Sequence, residues 1–132
     1  MEALYAKAHG IRINAAKVLA AWGDKESIDA LRSLLVEYSA KPKGHYTSDL
    51  ATIINLITPH VEKLDREWAI ELYFSPETVE SEFHLRQLLY AFPLKATASA
   101  LAGRYRSGKN VDRIPALLDL MQFYAFVRKR KD

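Results

Sequence analysis

The sequence predicts an all-α fold, a compact stack of helical hairpins with about eight helices. Apolar residues recur at the three- to four-residue spacing of amphipathic helices along most of the chain. Glycines and prolines stand at intervals that fit corners between helices, and sustained period-2 alternation, which marks strands, is missing. The composition, with 49% apolar and 27% charged residues, is that of an ordinary globular protein, and the length predicts a single domain over residues 1–132.

Glycines mark the ends of the first two predicted helices. Gly10 and Gly23 each follow a helical run, and glycine often ends a helix because it adopts left-handed backbone without strain. Asp24 is suited to cap the next helix, since its carboxylate can accept a hydrogen bond from a first-turn amide. The helices predicted here are 2–9, 11–22 and 25–39, followed by a loop over 40–46.

Prolines mark the corners in the middle of the chain. Two corners combine a capping residue with a proline in the first turn, Thr58 with Pro59 and Ser75 with Pro76. Proline is acceptable there because a first-turn amide has no hydrogen-bond partner within the helix. Pro93 is expected to stop the second of these helices. The predicted helices are one from 47 or 48 to 57, then 59–74 and 76–92.

Two helices are predicted in the C-terminal part, one over 95–105 and one that begins between 110 and 112 and ends near 129. Pro115 is acceptable in the first turn of the last helix. An apolar stripe on that helix is expected to face the core: Leu117, Leu118, Met121, Tyr124 and Val127. Phe123 and Phe126 widen the stripe, and they either close the end of the stack or contact a partner or a second copy.

The segment 12–37 consists of two short amphipathic helices joined by a Gly-Asp corner. Its characteristic positions are Arg12, Ala15, Ala16, Leu19, Gly23, Asp24, Ile28, Leu31, Leu34 and Leu35. This pattern resembles a HEAT repeat of the phycobilisome-lyase type. The resemblance implies a HEAT-like α-solenoid, a right-handed stack of hairpins with a binding surface along one face and no catalytic residues.

An internal repeat accompanies the resemblance. Residues 12–35 align without gaps to 66–89 with eight identities in 24 positions, and a third, weaker copy begins 86 residues after the first. Arg32 and Arg86 are equivalent in the two better copies, on the second helix of each hairpin. Because that helix lines the binding face of HEAT-like arrays, the resemblance implies that both contact a partner. The alternatives are that amphipathic helices align on their leucines alone, and that these arginines are ordinary solvated side chains.

Charge is distributed unevenly. Residues 95–132 carry nine basic and three acidic side chains, whereas residues 1–94 carry ten basic and 13 acidic ones. Four cations are predicted to surround one corner between helices and to form a second partner-binding patch: Arg104, Arg106, Lys109 and Arg113. The same patch permits nucleic-acid binding through the basic C-terminal end. An ordinary solvated surface is the alternative.

No motif in the chain indicates catalysis. Residues 103–109 satisfy the G-x-x-x-x-G-K spacing, but Asn110 stands where a P-loop needs Ser or Thr, and a helix precedes the segment where a strand is required. Glu77, Glu80 and His84 could share one helix face, but no histidine of the chain stands three residues after a glutamate, as the Glu-x-x-His pairs of a di-metal site require. The chain has no cysteine. We therefore predict no catalytic residue, no bound metal and no cofactor.

These observations predict a non-enzymatic protein–protein interaction module whose partner is another protein of unknown identity. One alternative within this class is an immunity- or antitoxin-type inhibitor that blocks a partner enzyme. The other alternative is the nucleic-acid binding described above. The N-terminus lacks the apolar segment of a signal peptide, and no apolar run reaches the length of about 20 residues that a membrane span needs. We expect a cytoplasmic protein without membrane contact.

Overall fold

The computed structural model of the protein describes residues 9–40 and 47–131, and the predicted all-α class is confirmed for them. Within these residues there are seven α-helices, two 3₁₀ helices and no strand. The α-helices are α1 (His9–Trp22), α2 (Lys25–Ser39), α3 (Thr47–Ile57), α4 (Arg66–Phe74), α5 (Glu82–Ala91), α6 (Leu94–Arg106) and α7 (Ile114–Lys131). The 3₁₀ helices are Thr58–Lys63 and Pro76–Ser81.

The corner between α1 and α2 has the predicted geometry. Gly23 has φ +65°, the left-handed conformation that favours glycine. Asp24 caps α2, and its Oδ1 accepts a hydrogen bond from the Ser27 amide at 2.8 Å. Hydrogen bonding to the Ser27 side chain, and then to its amide, lowers the pKa of Asp24. A Cβ at Gly23 would also lie 2.9 Å from the His60 ring, so the corner is closed by a second element.

The start of α1 differs from the prediction. His9 and Gly10 both belong to α1, so the helix does not stop at Gly10. A glycine inside a helix costs only about 1 kcal/mol relative to alanine, which the rest of a helix can offset. The remainder of the predicted 2–9 helix, and residues 41–46 of the predicted loop, lie outside the described residues.

The predicted continuous helix 59–74 is wrong. A 3₁₀ helix ends at Lys63, Leu64 is extended at φ −106° and ψ 152°, and α4 begins only after Asp65. The Asp65 carboxylate caps α4 by accepting from the Glu67 amide at 3.1 Å. Thr58 is not the expected N-cap, because its hydroxyl donates to the Asn55 carbonyl at 3.5 Å. Leu64 is buried, so core packing favours the break as well.

The predicted helix 76–92 is also interrupted. Ser75 does cap its start, accepting from the Glu77 amide at 3.3 Å, as expected. The first turns are 3₁₀, however, because side-chain hydroxyls bond to distant carbonyls. Thr78 donates to the Leu72 carbonyl at 2.5 Å, and Ser81 donates to the Ser39 carbonyl at 2.6 Å. Such side-chain bonds compete with regular helix geometry and join this segment to α2 and α4.

The helices pack as hairpins around one core. α2 contacts α1 and α3, α4 pairs with α5, and α6 pairs with α7, while α5 joins these groups through α3 and α6. Equivalent leucines of the two aligned segments are buried in both: Leu31 and Leu85, Leu34 and Leu88, Leu35 and Leu89. The two hairpins therefore present the same apolar positions to the core.

The last helix starts later than predicted, at Ile114. Asn110 has φ 51°, and its carbonyl accepts hydrogen bonds from the amides of Arg113 and Ile114, so the corner extends to residue 113. The predicted stripe does face the core, because Leu117 and Met121 are buried and its other members are partly buried. Phe123 and Phe126 are exposed.

Candidate partner-binding site

Arg32 on α2 lies against the start of α4. Its guanidinium carbon is 4.5 Å from the centroid of the Trp68 ring, a cation–π distance. Its Nη1 is 3.8 Å from Asp29 Oδ1 on the same helix. Arg32 is half-buried, so this candidate residue contributes to packing between α2 and α4 while part of it stays accessible.

Arg86 on α5 belongs to a polar cluster around Glu82. Its Nη1 lies 3.6 Å from Glu82 Oε1, and Arg113 Nη2 approaches Glu82 Oε2 at 3.2 Å. The Tyr73 hydroxyl donates to Glu82 Oε1 at 2.7 Å. Burial and this hydrogen bond raise the pKa of Tyr73 to about 12. The Glu82 carboxylate thus accepts a hydrogen bond from Tyr73 and is ion-paired with two arginines.

Arg104 on α6 is bound by α4 and by the following corner. Its Nη1 donates to Glu71 Oε1 at 2.7 Å, and its Nη2 donates to Asn110 Oδ1 at 3.0 Å. Glu67 is a second carboxylate, at 3.9 Å. The hydrogen bond from Arg104 lowers the pKa of Glu71. Only 12% of the Arg104 side chain is exposed, so most of this cation is withdrawn from solvent.

The rings of Tyr73 and Phe74 lie beneath these cations. The Arg113 guanidinium carbon is 5.2 Å from the Tyr73 centroid and 5.0 Å from that of Phe74, and Arg104 is 5.7 Å from Phe74. The structure therefore brings Arg86, Arg104 and Arg113 to the C-terminal end of α4. We call this cluster, together with Tyr73, Phe74 and Glu82, the closed end of α4.

Two members of the predicted basic patch differ from the rest. Arg106 and Lys109 are exposed, and neither forms an ion pair within 4.0 Å among the residues that the structure describes. The basic corner thus contains two cations with intramolecular carboxylate partners and two that face solvent.

An exposed apolar strip runs along α7. Leu120, Phe123 and Phe126 follow one another in steps of three residues, which places them along one side of a helix. Phe123 is 66% exposed and Phe126 is 57% exposed. We call these three residues the α7 apolar face. The sequence signal for it was the pair of phenylalanines outside the core stripe.

A cleft with a volume of about 680 Å³ lies at the other end of α4 and was missed by sequence reasoning. Its walls include Arg66 at the start of α4, Ala91 and Phe92 at the end of α5, and Arg128 of α7. Two sequence signals touched it, the alignment of Arg12 with Arg66 and the basic C-terminal end that includes Arg128. We call this arrangement the open end of α4.

Glu77 and Glu80 lie in the 3₁₀ helix Pro76–Ser81 and His84 lies in α5, so the three residues do not share one continuous α-helix. Over residues 9–40 and 47–131, no group of three or more metal-ligating side chains is assembled. Within the same ranges, no helix combines the length and apolar character required to cross a membrane.

Comparison with protein-family models, with curated proteins and with solved structures gives no match.

Proposed function

We propose that this chain is a non-enzymatic protein-interaction module built as a HEAT-like stack of helical hairpins. The α7 apolar face carries this proposal. Aromatic side chains are enriched in the centres of protein interfaces, where large rigid rings contribute contact area at a low cost in conformational entropy. Two phenylalanines more than half exposed on one helix are suited to that role.

The basic corner supplies charged groups for the rim of the same partner surface. Arg106 and Lys109 are the predicted site residues that face solvent, and rim charges mainly affect the association rate and its salt dependence. Arg86, Arg104 and Arg113 support the surface from beneath, since their carboxylate partners hold them in fixed positions. Arg32 supports the packing of α4 in the same way.

Two features favour a protein over a nucleic acid as the partner. One is the α7 apolar face, and the other is the internal ion pairing of cations in the basic corner. Nucleic-acid affinity depends on cations available to phosphates. Arg104 and Arg113 are ion-paired internally, which reduces the charge that this corner offers to a phosphate backbone.

The experiment that tests this proposal is affinity capture from the source lysate with the purified protein as bait. Nuclease treatment and about 0.3 M salt would screen exposed phosphate contacts. We expect one protein at a stoichiometric level on the wild-type bait and its loss on a Phe123→Ala bait. Trp22→Ala is the matched control, because Trp22 is 69% exposed and lies on a different helix, α1, away from the candidate residues.

Equal capture by the wild type and by Phe123→Ala would contradict the role of the α7 apolar face. Recovery of nucleic acid alone, in a parallel low-salt capture without nuclease, would overturn protein binding in favour of the basic end. If the captured protein is an enzyme, assaying it with and without the bait would show whether binding inhibits it.

A further inference from the structure

The two aligned hairpins share an arginine that lies over an aromatic ring. The guanidinium carbon of Arg12 on α1 is 5.0 Å from the Tyr38 centroid, and that of Arg66 on α4 is 5.8 Å from the Phe92 centroid. Arg12 and Arg66 are equivalent in the alignment of 12–35 with 66–89, and continuing it makes Tyr38 equivalent to Phe92. The same cation–ring pair therefore occurs in both hairpins.

The carboxylate of the pair is present in only one hairpin. Arg12 is ion-paired with Glu37, the residue before Tyr38. The equivalent residue before Phe92 is Ala91. Among the described residues, no carboxylate oxygen lies within 4.0 Å of the Arg66 guanidinium nitrogens, and the buried Arg66 Nε has no hydrogen-bond partner. A half-buried cation without a counter-charge costs free energy that an external carboxylate could recover.

The space next to Ala91 is open. Ala91, Phe92 and Arg66 all line the cleft at the open end of α4, so the region that a glutamate side chain occupies in the first hairpin belongs to the cleft in the second. Arg128 of α7 lines the same cleft, and it forms no ion pair within 4.0 Å among the described residues. Two guanidinium groups from different helices are thus available to one ligand.

Acidic residues also border the cleft. Glu62, Asp65 and Glu67 are exposed members of its lining. Asp65 accepts the capping bond from the Glu67 amide at 3.1 Å, and Glu67 lies 3.9 Å from Arg104. A ligand with a carboxylate alone would be repelled by these groups, whereas one with a cation beside its carboxylate would match both charges.

We propose that the cleft at the open end of α4 binds the γ-carboxylate of a glutamate on a partner-protein helix, with Arg66 and Arg128 as the binding residues. The ion pair between Arg12 and Glu37 of α2 is an example of the same contact within this chain. Because Glu62, Asp65 and Glu67 border the cleft, a glutamate with a lysine or arginine next to it should bind better than a glutamate without one. This inference rests on the proposed function, because it assigns a second contact of the same partner.

The test uses a small carboxylate, so that it does not depend on the identity of the partner. N-acetyl-Glu-Lys N-methylamide, which carries a lysine ammonium beside the γ-carboxylate, is titrated into the wild-type protein, and the Arg66 Nε–Hε resonance is followed by NMR at constant ionic strength. The Arg66→Lys variant, which lacks this resonance, provides its assignment. We expect a saturable shift with a dissociation constant on the order of 10 mM, the affinity that one or two charge-assisted hydrogen bonds supply.

Two variants at one position make the test specific. Ala91→Glu should supply the missing carboxylate internally, so that the Arg66 resonance is already shifted without ligand and no longer responds to it. Ala91→Gln has a side chain of the same size without the charge, and it should still respond. A variant that fails to fold would be recognised by its circular dichroism, and the wild-type titration decides the question in that case.

Three results would overturn the inference. The first is the absence of a saturable shift in the wild type, and the second is an equal response of Ala91→Glu and Ala91→Gln. The third is tighter binding of N-acetyl-alanine, which mimics the C-terminus of a polypeptide, or of inorganic phosphate. Each of these leaves capture through Phe123 untouched, so a failure here is distinct from a failure of the proposed function.

Discussion

The two ends of α4 use the same residue type in different ways. At the closed end, Arg86 and Arg113 approach Glu82 and Arg104 bonds to Glu71, with Tyr73 and Phe74 beneath them. At the open end, Arg66 lies over Phe92, and no carboxylate lies within 4.0 Å of its guanidinium nitrogens in the part of the chain that the structure describes. Whether an arginine holds the fold together or can bind a ligand therefore depends on whether another helix brings a carboxylate to it.

The largest expected effect concerns Tyr73 at the closed end. Its pKa is raised from an unfolded value near 10 to about 12, so its contribution to stability is fully present below pH 10 and is lost between pH 10 and pH 12. The loss amounts to about 2–3 kcal/mol. Urea unfolding measured across that range should show a steeper decline for the wild type than for Tyr73→Phe. Equal slopes would mean that Tyr73 is not held as its hydrogen bond to Glu82 indicates.

Removal of Arg104 should have the next largest effect. Arg104→Ala loses charge-assisted hydrogen bonds to Glu71 and Asn110 and the contact with Phe74, and should lower the free energy of unfolding by about 2 kcal/mol. Arg66→Ala, at the open end, should cost less than half as much because it breaks no ion pair. Urea denaturation of both variants checks this difference, and comparable losses would erase the distinction between the two ends.

A third substitution, Glu37→Ala, gives the first hairpin the alanine that the second hairpin has at the equivalent position, Ala91. Glu37→Ala removes the carboxylate that pairs with the nearly buried Arg12, and should destabilise the protein by about 1 kcal/mol, because Glu37 itself is partly exposed. Glu37→Gln is the control that keeps the size of the side chain. A thermal midpoint unchanged from the wild type in both variants would show that the pair contributes nothing measurable.

The smallest effect is expected for the solvent-facing cations of the basic corner. Arg106→Ala and Lys109→Ala should each change stability by less than about 0.5 kcal/mol, since both side chains are exposed and neither forms an ion pair within 4.0 Å among the described residues. The thermal midpoints of these variants are compared with that of Arg104→Ala. The comparison distinguishes cations that support the fold from cations that are available to a partner. A loss comparable to that of Arg104→Ala would place Arg106 or Lys109 in the supporting group.

Local features of the fold were predictable where neighbouring residues themselves supply the hydrogen-bonding groups. Gly23, Asp24 and Ser75 behave as predicted, because a turn or cap depends on the conformation and side chain of a few consecutive residues. The breaks inside 59–74 and 76–92 were not predicted. The second depends on Ser81 bonding to the Ser39 carbonyl, which lies far away in the sequence.

The candidate site was predictable only as a set of residue types. The sequence identified Arg104, Arg106, Lys109 and Arg113 as neighbours, since they flank one corner. It could not separate the paired members from the exposed ones, because Glu71 and Glu82 reach Arg104 and Arg113 from other helices.

The sequence by itself determined the all-α class, the corner at Gly23 and the apolar stripe of α7, because helical periodicity and capping are encoded within a few turns of helix. The tertiary structure alone decided which arginines have counter-charges. Ion pairing depends on distances of about 4 Å between side chains on separate helices, and those distances are set by packing. The open cleft beside Ala91 therefore became visible only when the two hairpins could be compared residue by residue.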